Sequence, residues 1–313
     1  MVFDTLKSLF KTDSLPRESE ALSPSFKTLM RMKRDVPYLK DFHYRKTSYQ
    51  SGDSKSAFKG RGIEFEEVRS YRFGDDIRDI DWRVTARKNQ PFTKVYAEEK
   101  DREIYVWLDL SPKMYFGTKG ELKSATAAKT TALLGWLSLS YKDRFGLALY
   151  TGAQTYLFEP RRTEDYFLSL LKKIETVSYH NLTEQAQTVT AQKSLQLLQK
   201  KADRYAVIFL VSSFSPSDQT TLKTVSDLMR RNEVYMIDIF DRLEAVAPPQ
   251  GEYMAEFNTQ KETIKNDNTK YEIAYEAYFE KKRHDLKDFC LRYDAHYRPI
   301  RSDLPIYQQL RPI

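Results

Sequence analysis

Residues 103–113 read EIYVWLDLSPK, a strand-length apolar run that ends in an aspartate, with a serine two places on and a lysine two places beyond that. A run with almost no polar residue on either alternating face suits a strand buried on both sides, as in a parallel sheet covered by helices. Three more runs share this character: FGLALY (145–150), RYAVIFLVSS (204–213) and EVYMIDIF (233–240). Between and after them lie segments with helical periodicity, including ELKSATAAKTTALLGWLSLS (121–140), a stretch carrying Phe167, Leu170, Leu171 and Ile174, and YEIAYEAYFEKKRHDLKDFCLRY (271–293) ahead of a last strand near AHYRPI. Strands alternating with helices predict an α/β fold with an open, mainly parallel, doubly wound sheet. Local start signals agree with this reading. Thr118 and Glu121 have capping-box spacing, Thr163 is placed to cap the Phe167 helix, and Ser215 followed by Pro216 suits an N-cap and first helical position.

Ahead of this region, GIEFEEVRSYRF (62–73) and FTKVYAEEK (92–100) alternate as half-exposed strands do. The chain is therefore divided into an N-terminal helical extension (1–43), a small β-rich unit (44–100) and the α/β domain (101–313), whose EYMAEFNTQKETIKND segment (252–267) is read as a hairpin. In residues 1–12, MVFDTLKSLFKT, helical spacing places Val2, Phe3, Leu6, Leu9 and Phe10 on one face, with Lys7 and Lys11 elsewhere. Docking on the protein's own body is the expectation for so short a helix, with a membrane surface as the alternative.

Composition narrows the function classes. The chain has 313 residues and a net charge of +7, and no stretch reaches the roughly 20 apolar residues that cross a bilayer. The N-terminus shows no secretory signal pattern, so a cytoplasmic location is expected. A single cysteine, Cys290, excludes an internal disulfide and a multi-cysteine zinc site. His43, His180, His284 and His296 never show the spacing that puts two imidazoles on one helix face. Gly60 and Gly62 lack the third glycine and helix of a dinucleotide site, and neither a Walker A sequence nor a Gly-x-Ser-x-Gly elbow occurs. The basic run 26–46, FKTLMRMKRDVPYLKDFHYRK, is read as a solvated helix and connector, and nucleic-acid or peripheral membrane binding through it is the alternative. No nucleic-acid partner is expected.

Two places carry chemistry. In an open parallel sheet, ligands bind beyond the carboxyl ends of the strands, where Asp109, Ser111 and Lys113 follow one strand and Ser212, Ser213 and Ser215 follow another. An aspartate with two hydroxyls would offer oxygen ligands to magnesium, but a protonated lysine has no lone pair and repels a cation. The expectation is that the Lys113 ammonium lies beside the Asp109 carboxylate, that no metal is held tightly, and that any weak magnesium would sit at Asp109 and Ser111. The second place is RSYRFGDDIRDIDWRVTARK (69–88), with Asp75, Asp76, Asp79 and Asp81 interleaved with arginines. It is read as an ion-pair network fixing the junction between the β-rich unit and the large domain. A metal-dependent hydrolase using these carboxylates is the alternative, decided by whether they face an open cleft.

The run from Gly60 to Gly117 resembles the signature of the bacterial proteins grouped as domain of unknown function 58. Arg69, Tyr71, Gly74, Asp75, Asp76, Arg78, Ile80, Asp81, Trp82, Ala86 and Arg87 fall at the family's positions. The resemblance implies a larger domain similar to a von Willebrand factor A domain, with a metal-ion-dependent adhesion site. Asp109 and Ser111 match its first loop, Thr163 is the match for its threonine, Lys113 departs from the second serine, and Ser213 stands where its distal aspartate would be. The implied function is a non-enzymatic interaction module with a degenerate adhesion site. Its implied partners are a MoxR-type AAA+ ATPase, as adaptor or assembly partner, and other von Willebrand A-domain proteins.

Overall fold

The computed structural model of the protein describes residues 20–39, 42, 63–98, 102–183, 188–257, 260–266 and 269–310. The amphipathic stretch 1–12 lies outside the described residues. The chain divides into two units, Met1–Arg45 with Arg102–Ile313, and Lys46–Asp101.

Ser25 opens the first helix, α1 (Phe26–Arg31), by accepting from the Thr28 N–H on its side-chain oxygen. A 3-10 helix, Met32–Leu39, follows directly. Leu29, Leu39 and Phe42 are fully or almost fully buried, and Trp136 Nε1 donates to the Leu29 carbonyl at 3.2 Å. The Phe42 ring packs 5.6 Å from that of Tyr235. Over residues 26–39 and Phe42 this corrects the reading as a solvated helix and connector: the exposed lysines and arginines there alternate with apolar residues that belong to the main core.

In the smaller unit, β1 (Ile63–Ser70) pairs antiparallel with β2 (Phe92–Glu98), with α2 (Trp82–Lys88) between them. The Asp81 side chain accepts from the Arg83 and Val84 N–H groups to start α2. Asn89 ends the helix in the left-handed region, at φ 50°.

The larger unit continues through β3 (Glu103–Asp109), α3 (Lys123–Ser140), β4 (Arg144–Tyr150), β5 (Thr155–Arg161), α4 (Glu164–Thr183), α5 (Ala191–Lys201) and β6 (Val207–Ser212). It ends with α6 (Gln219–Met229), β7 (Glu233–Phe240), the hairpin β8 (Gly251–Phe257) and β9 (Gln260–Asn266), α7 (Thr269–Arg292), β10 (His296–Arg301) and α8 (Ile306–Leu310). Six strands form one sheet in the order β10-β7-β6-β3-β4-β5, parallel throughout except for β5, which runs antiparallel to β4. The predicted mainly parallel sheet is therefore present. Both edge strands contain a proline, Pro160 in β5 and Pro299 in β10, which leaves a ladder position without a donor and blunts further pairing.

Strand periodicity divides the core. Ile104, Val106 and Leu108 share one layer with α3 and α4, whereas Tyr105 and Trp107 face α5, α6 and α7. Trp107 is fully buried, stacks 5.6 Å from Tyr150, and donates from Nε1 to Ser194 Oγ at 2.8 Å. Gly135 lets α3 approach α4 closely, since a Cβ there would meet the Phe167 ring at 2.2 Å.

Two expected helix starts move. The helix α3 begins at Lys123 after Leu122 with no side-chain cap, because Thr118 donates to the buried Asp241 carboxylate instead. In α6 the cap is Asp218, three residues beyond Ser215, accepting from the Thr221 N–H at 3.1 Å. In α6 the carboxylate is the stronger acceptor.

Candidate functional site

The strand order reverses between β3 and β6, because the chain proceeds from β3 to β4 on one side and from β6 to β7 and β10 on the other. The crevice of such a sheet lies at this switch point, beyond the carboxyl ends. Asp109 ends β3 with no exposed surface. Its Oδ1 accepts from the Ser111 N–H at 2.8 Å, and its Oδ2 accepts from Ser212 Oγ at 2.6 Å. Lys113 Nζ lies 3.0 Å from the same Oδ2 and donates to the Ser213 carbonyl at 3.0 Å. The Lys113 side chain remains about half exposed, so the crevice presents an ammonium to solvent above a buried carboxylate.

A second charged cluster adjoins the first through Ser213. Lys123 Nζ donates to Ser213 Oγ at 3.2 Å and to Glu244 Oε2 at 3.0 Å, and Lys282 Nζ lies 3.6 Å from Glu244 Oε1. Burial pushes the Glu244 carboxyl up, but the two ammonium groups and the Asp241 N–H outweigh it and hold the group below the usual range. Asp241 and Glu244 form a capping box on the short helix Arg242–Glu244, and Asp241 also accepts from the Thr118 N–H and hydroxyl at 2.9 and 2.5 Å.

Asp238, within β7, lies almost wholly inside. It accepts from the Phe214 N–H at 3.0 Å and from the Tyr297 hydroxyl at 2.8 Å, so it pins the β6 exit loop to β10. Burial raises its pKa, against the opposing pull of Lys282 and these two donors. A carboxyl with a raised folded-state pKa favours folding fully below its unfolded pKa and loses that contribution as pH rises through the folded value. The urea midpoint of the wild type is therefore expected to fall relative to that of Asp238→Asn as pH rises from 4 to 8. Parallel pH profiles for the two proteins would refute this assignment.

In the smaller unit the signature residues do local structural work. Arg69 forms a bidentate pair with Asp75, both bonds at 2.8 Å, and the Arg72 N–H donates to the same carboxylate. Asp76 caps a short helix through the Arg78 N–H and meets Arg78 Nε at 3.2 Å. The Tyr71 hydroxyl donates to the Asp75 carbonyl at 3.3 Å, Gly74 adopts φ 104° at the turn, and Arg87 sits in the last turn of α2. Phe73, Ile77 and Trp82 are exposed. Among the described residues, no group of three or more His, Cys, Asp or Glu side chains is arranged to hold a metal ion.

Asp109, Ser111, Lys113 and Ser213 thus come together, and Thr163 does not. Thr163 follows β5, whose Arg161 pairs with Phe145 at the start of β4, so the antiparallel strand carries it to the opposite, amino edge of the sheet. Near the crevice Asn181 instead donates from Nδ2 to the carbonyls of Leu110 and Thr151, at 3.0 and 3.4 Å. Lys123, Glu244, Asp238 and Asp241 were missed by the sequence reading. An aspartate inside the apolar run EVYMIDIF was a usable signal; nothing in the sequence marked Lys123. The donor set does not fit the divalent cation that the resemblance implies, because the Lys113 ammonium meets the carboxylate oxygen a metal would use and would repel a cation there.

An open α/β sheet with a polar, lysine-filled crevice at its switch point is the class of protein defined by these features. The family model described as "Protein of unknown function DUF58" matches residues 67–285, and the chain belongs to that family. Two curated relatives, uncharacterized protein Rv1480 of Mycobacterium tuberculosis and uncharacterized protein Mb1516 of Mycobacterium bovis, are each 24% identical over 201 residues. The match covers 64% of this chain and 62% of each relative's length. Among solved structures, the chain is similar to the conserved hypothetical protein BatB from Bacteroides thetaiotaomicron, with a TM-score of 0.38 and 12% identity, covering 66% of this chain and 93% of that one. It is also similar to an aerotolerance-related membrane protein from Bacteroides fragilis, with a TM-score of 0.35 and 13% identity over 67% of this chain and 98% of that one. Among the described residues, no helix is long and apolar enough to cross a membrane.

Proposed function

We propose that the crevice between β3 and β6 is a metal-independent docking face, and that the chain is a non-enzymatic, cytoplasmic adaptor or assembly partner of a MoxR-type AAA+ ATPase. The observation that carries this reading is the Lys113 ammonium 3.0 Å from the buried Asp109 carboxylate. Where an adhesion site would present a cation to a partner's carboxylate, this crevice presents a fixed ammonium that offers the same sign of charge. The partner contact then needs an acidic side chain and no metal. The von Willebrand A resemblance supports protein docking at this edge, and von Willebrand A-domain proteins are the second partner class. The signature carboxylates are engaged by Arg69, Arg78 and helix caps, which favours this reading over paired-carboxylate hydrolysis.

Affinity capture from the native cell at low salt tests the proposal. The full chain is expected to recover an AAA+ ATPase, and Lys113→Glu to lower recovery about tenfold through like-charge repulsion. Recovery of only nucleic acid or small molecules would remove the support for an adaptor.

A further inference from the structure

Three large apolar side chains of the smaller unit face solvent within ten consecutive positions. Phe73 is fully exposed, Ile77 is 65% exposed and Trp82 66%. Single apolar residues on a surface are ordinary, but a phenylalanine, an isoleucine and a tryptophan this close in sequence are costly to leave in water. Their backbone is held in place. The bidentate Arg69–Asp75 pair and the Arg72 N–H close the turn that carries Phe73, Asp76 caps the short helix Ile77–Asp79, and Asp81 caps the helix that Trp82 begins. The Tyr71 and Asp81 N–H groups donate to the carbonyls of Pro91 and Phe92, both at 2.8 Å, which ties the segment at two points to the start of β2. The polar signature residues thus fix the shape of this stretch, while its largest apolar residues are turned outward.

The charge left over is positive. Residues 69–88 hold six cationic side chains against four carboxylates, and five of the six are arginines. Asp75 and Asp76 are paired with Arg69 and Arg78, Asp81 is engaged as the α2 cap, and Asp79 is half-buried. Arg72, Arg83 and Arg87 are exposed and form no ion pair among the described residues.

We propose that Phe73, Ile77 and Trp82 anchor a second protein-docking face, and that its occupant is another protein presenting an apolar pocket rimmed by aspartate or glutamate. Aromatic and arginine side chains are the groups that dominate binding at the centre of protein interfaces, and a backbone already fixed spares the cost of ordering it on association. The planar fork of arginine suits carboxylate acceptors in particular. A nucleic-acid strand needs an unbroken positive track, which the interleaved carboxylates interrupt, and the same carboxylates would meet the headgroups of an anionic bilayer. A second copy would bring the same surplus of positive charge.

The test places the photoreactive residue p-benzoylphenylalanine at position 73 of the full chain, irradiates the native cell, and maps the product by mass spectrometry. The expected product joins position 73 to a different protein, at a peptide with Asp or Glu beside apolar residues, in a yield at least tenfold above that from exposed position 179. Arg72→Glu with Arg83→Glu is expected to lower that yield about tenfold, and exposed Trp82→Ser to do so alone. Glutamate at position 83 falls in the first turn of α2, where negative charge is favourable, so the reversal preserves the local fold. Lysines in place of the partner's mapped carboxylates should restore the yield of the reversed protein. The same loss and recovery are expected in a Lys113→Glu background, so this face and the crevice can fail separately. A product within one chain, between two copies, or with nucleic acid or lipid would overturn the proposal. So would a mapped peptide without carboxylates, a yield no greater than at position 179, or one indifferent to the charge reversal.

Discussion

Glu244→Gln is expected to destabilise the large unit by about 3–5 kcal/mol at pH 7, the usual cost of removing one partner from a buried ion pair. Lys123 is 7% exposed and Glu244 16%, so water cannot replace the lost carboxylate charge. The amide leaves two ammonium groups, Lys123 and Lys282, without the carboxylate charge they share, and weakens the bond from the Asp241 N–H. Lys123→Met is the milder change, since Lys282 still faces the carboxylate. The pH dependence has a definite sign. Glu244 is held below its ordinary range, so its stabilisation is present above the unfolded pKa of about 4.3 and disappears as pH falls through the lower folded value. Urea titrations from pH 7 to 3 should therefore show wild type and variant converging in acid. A gap below about 1 kcal/mol at pH 7 would mean that the cluster is solvated like a surface pair.

The second large effect concerns Lys113. Both Lys113→Ser and Lys113→Met are expected to cost about 3 kcal/mol without divalent cations, because Asp109 is left as a wholly buried carboxylate with only Ser111 and Ser212 as donors. The two variants should then part. Serine adds an oxygen next to Asp109 and Ser111, so millimolar magnesium is expected to raise the melting temperature of Lys113→Ser by several degrees. Methionine adds no hard ligand, and neither Lys113→Met nor the wild type should respond. A magnesium response in the wild type would show that the ammonium does not take the cation's place. A serine variant as stable as wild type without magnesium would show that Asp109 needs no positive partner.

The fold was legible because its signal is repeated. EIYVWLDL, AVIFLVS and EVYMIDIF are each dominated by apolar residues on both alternating faces, and a sheet covered on both faces is what buries such runs. The strand at 155–161 escaped notice because TYLFEPR is half-exposed, charged and contains Pro160, the features of an edge. That omission produced the misplacement of Thr163, since an unrecognised antiparallel strand inverts the end of the sheet at which the next residue lies. The helix starts at Thr118 and Ser215 failed for a related reason. Local spacing identifies every residue able to cap, but Thr118 is drawn to Asp241 across the fold, and Asp218, directly before α6, caps in place of Ser215.

By itself the sequence determined the buried strands and the main helices, the family signature from Arg69 to Arg87, and the lysine where an adhesion-type loop would carry a hydroxyl. These are properties of spacing within one segment, and periodicity or side-chain chemistry reads them directly. Only the tertiary structure decided that Leu29, Leu39 and Phe42 of a basic run belong to the core, and that Lys123, Glu244 and Lys282 make one cluster. Lys123 and Glu244 are 121 residues apart in the chain. Their meeting follows from the order in which parallel strands cross over, and no local pattern records that order.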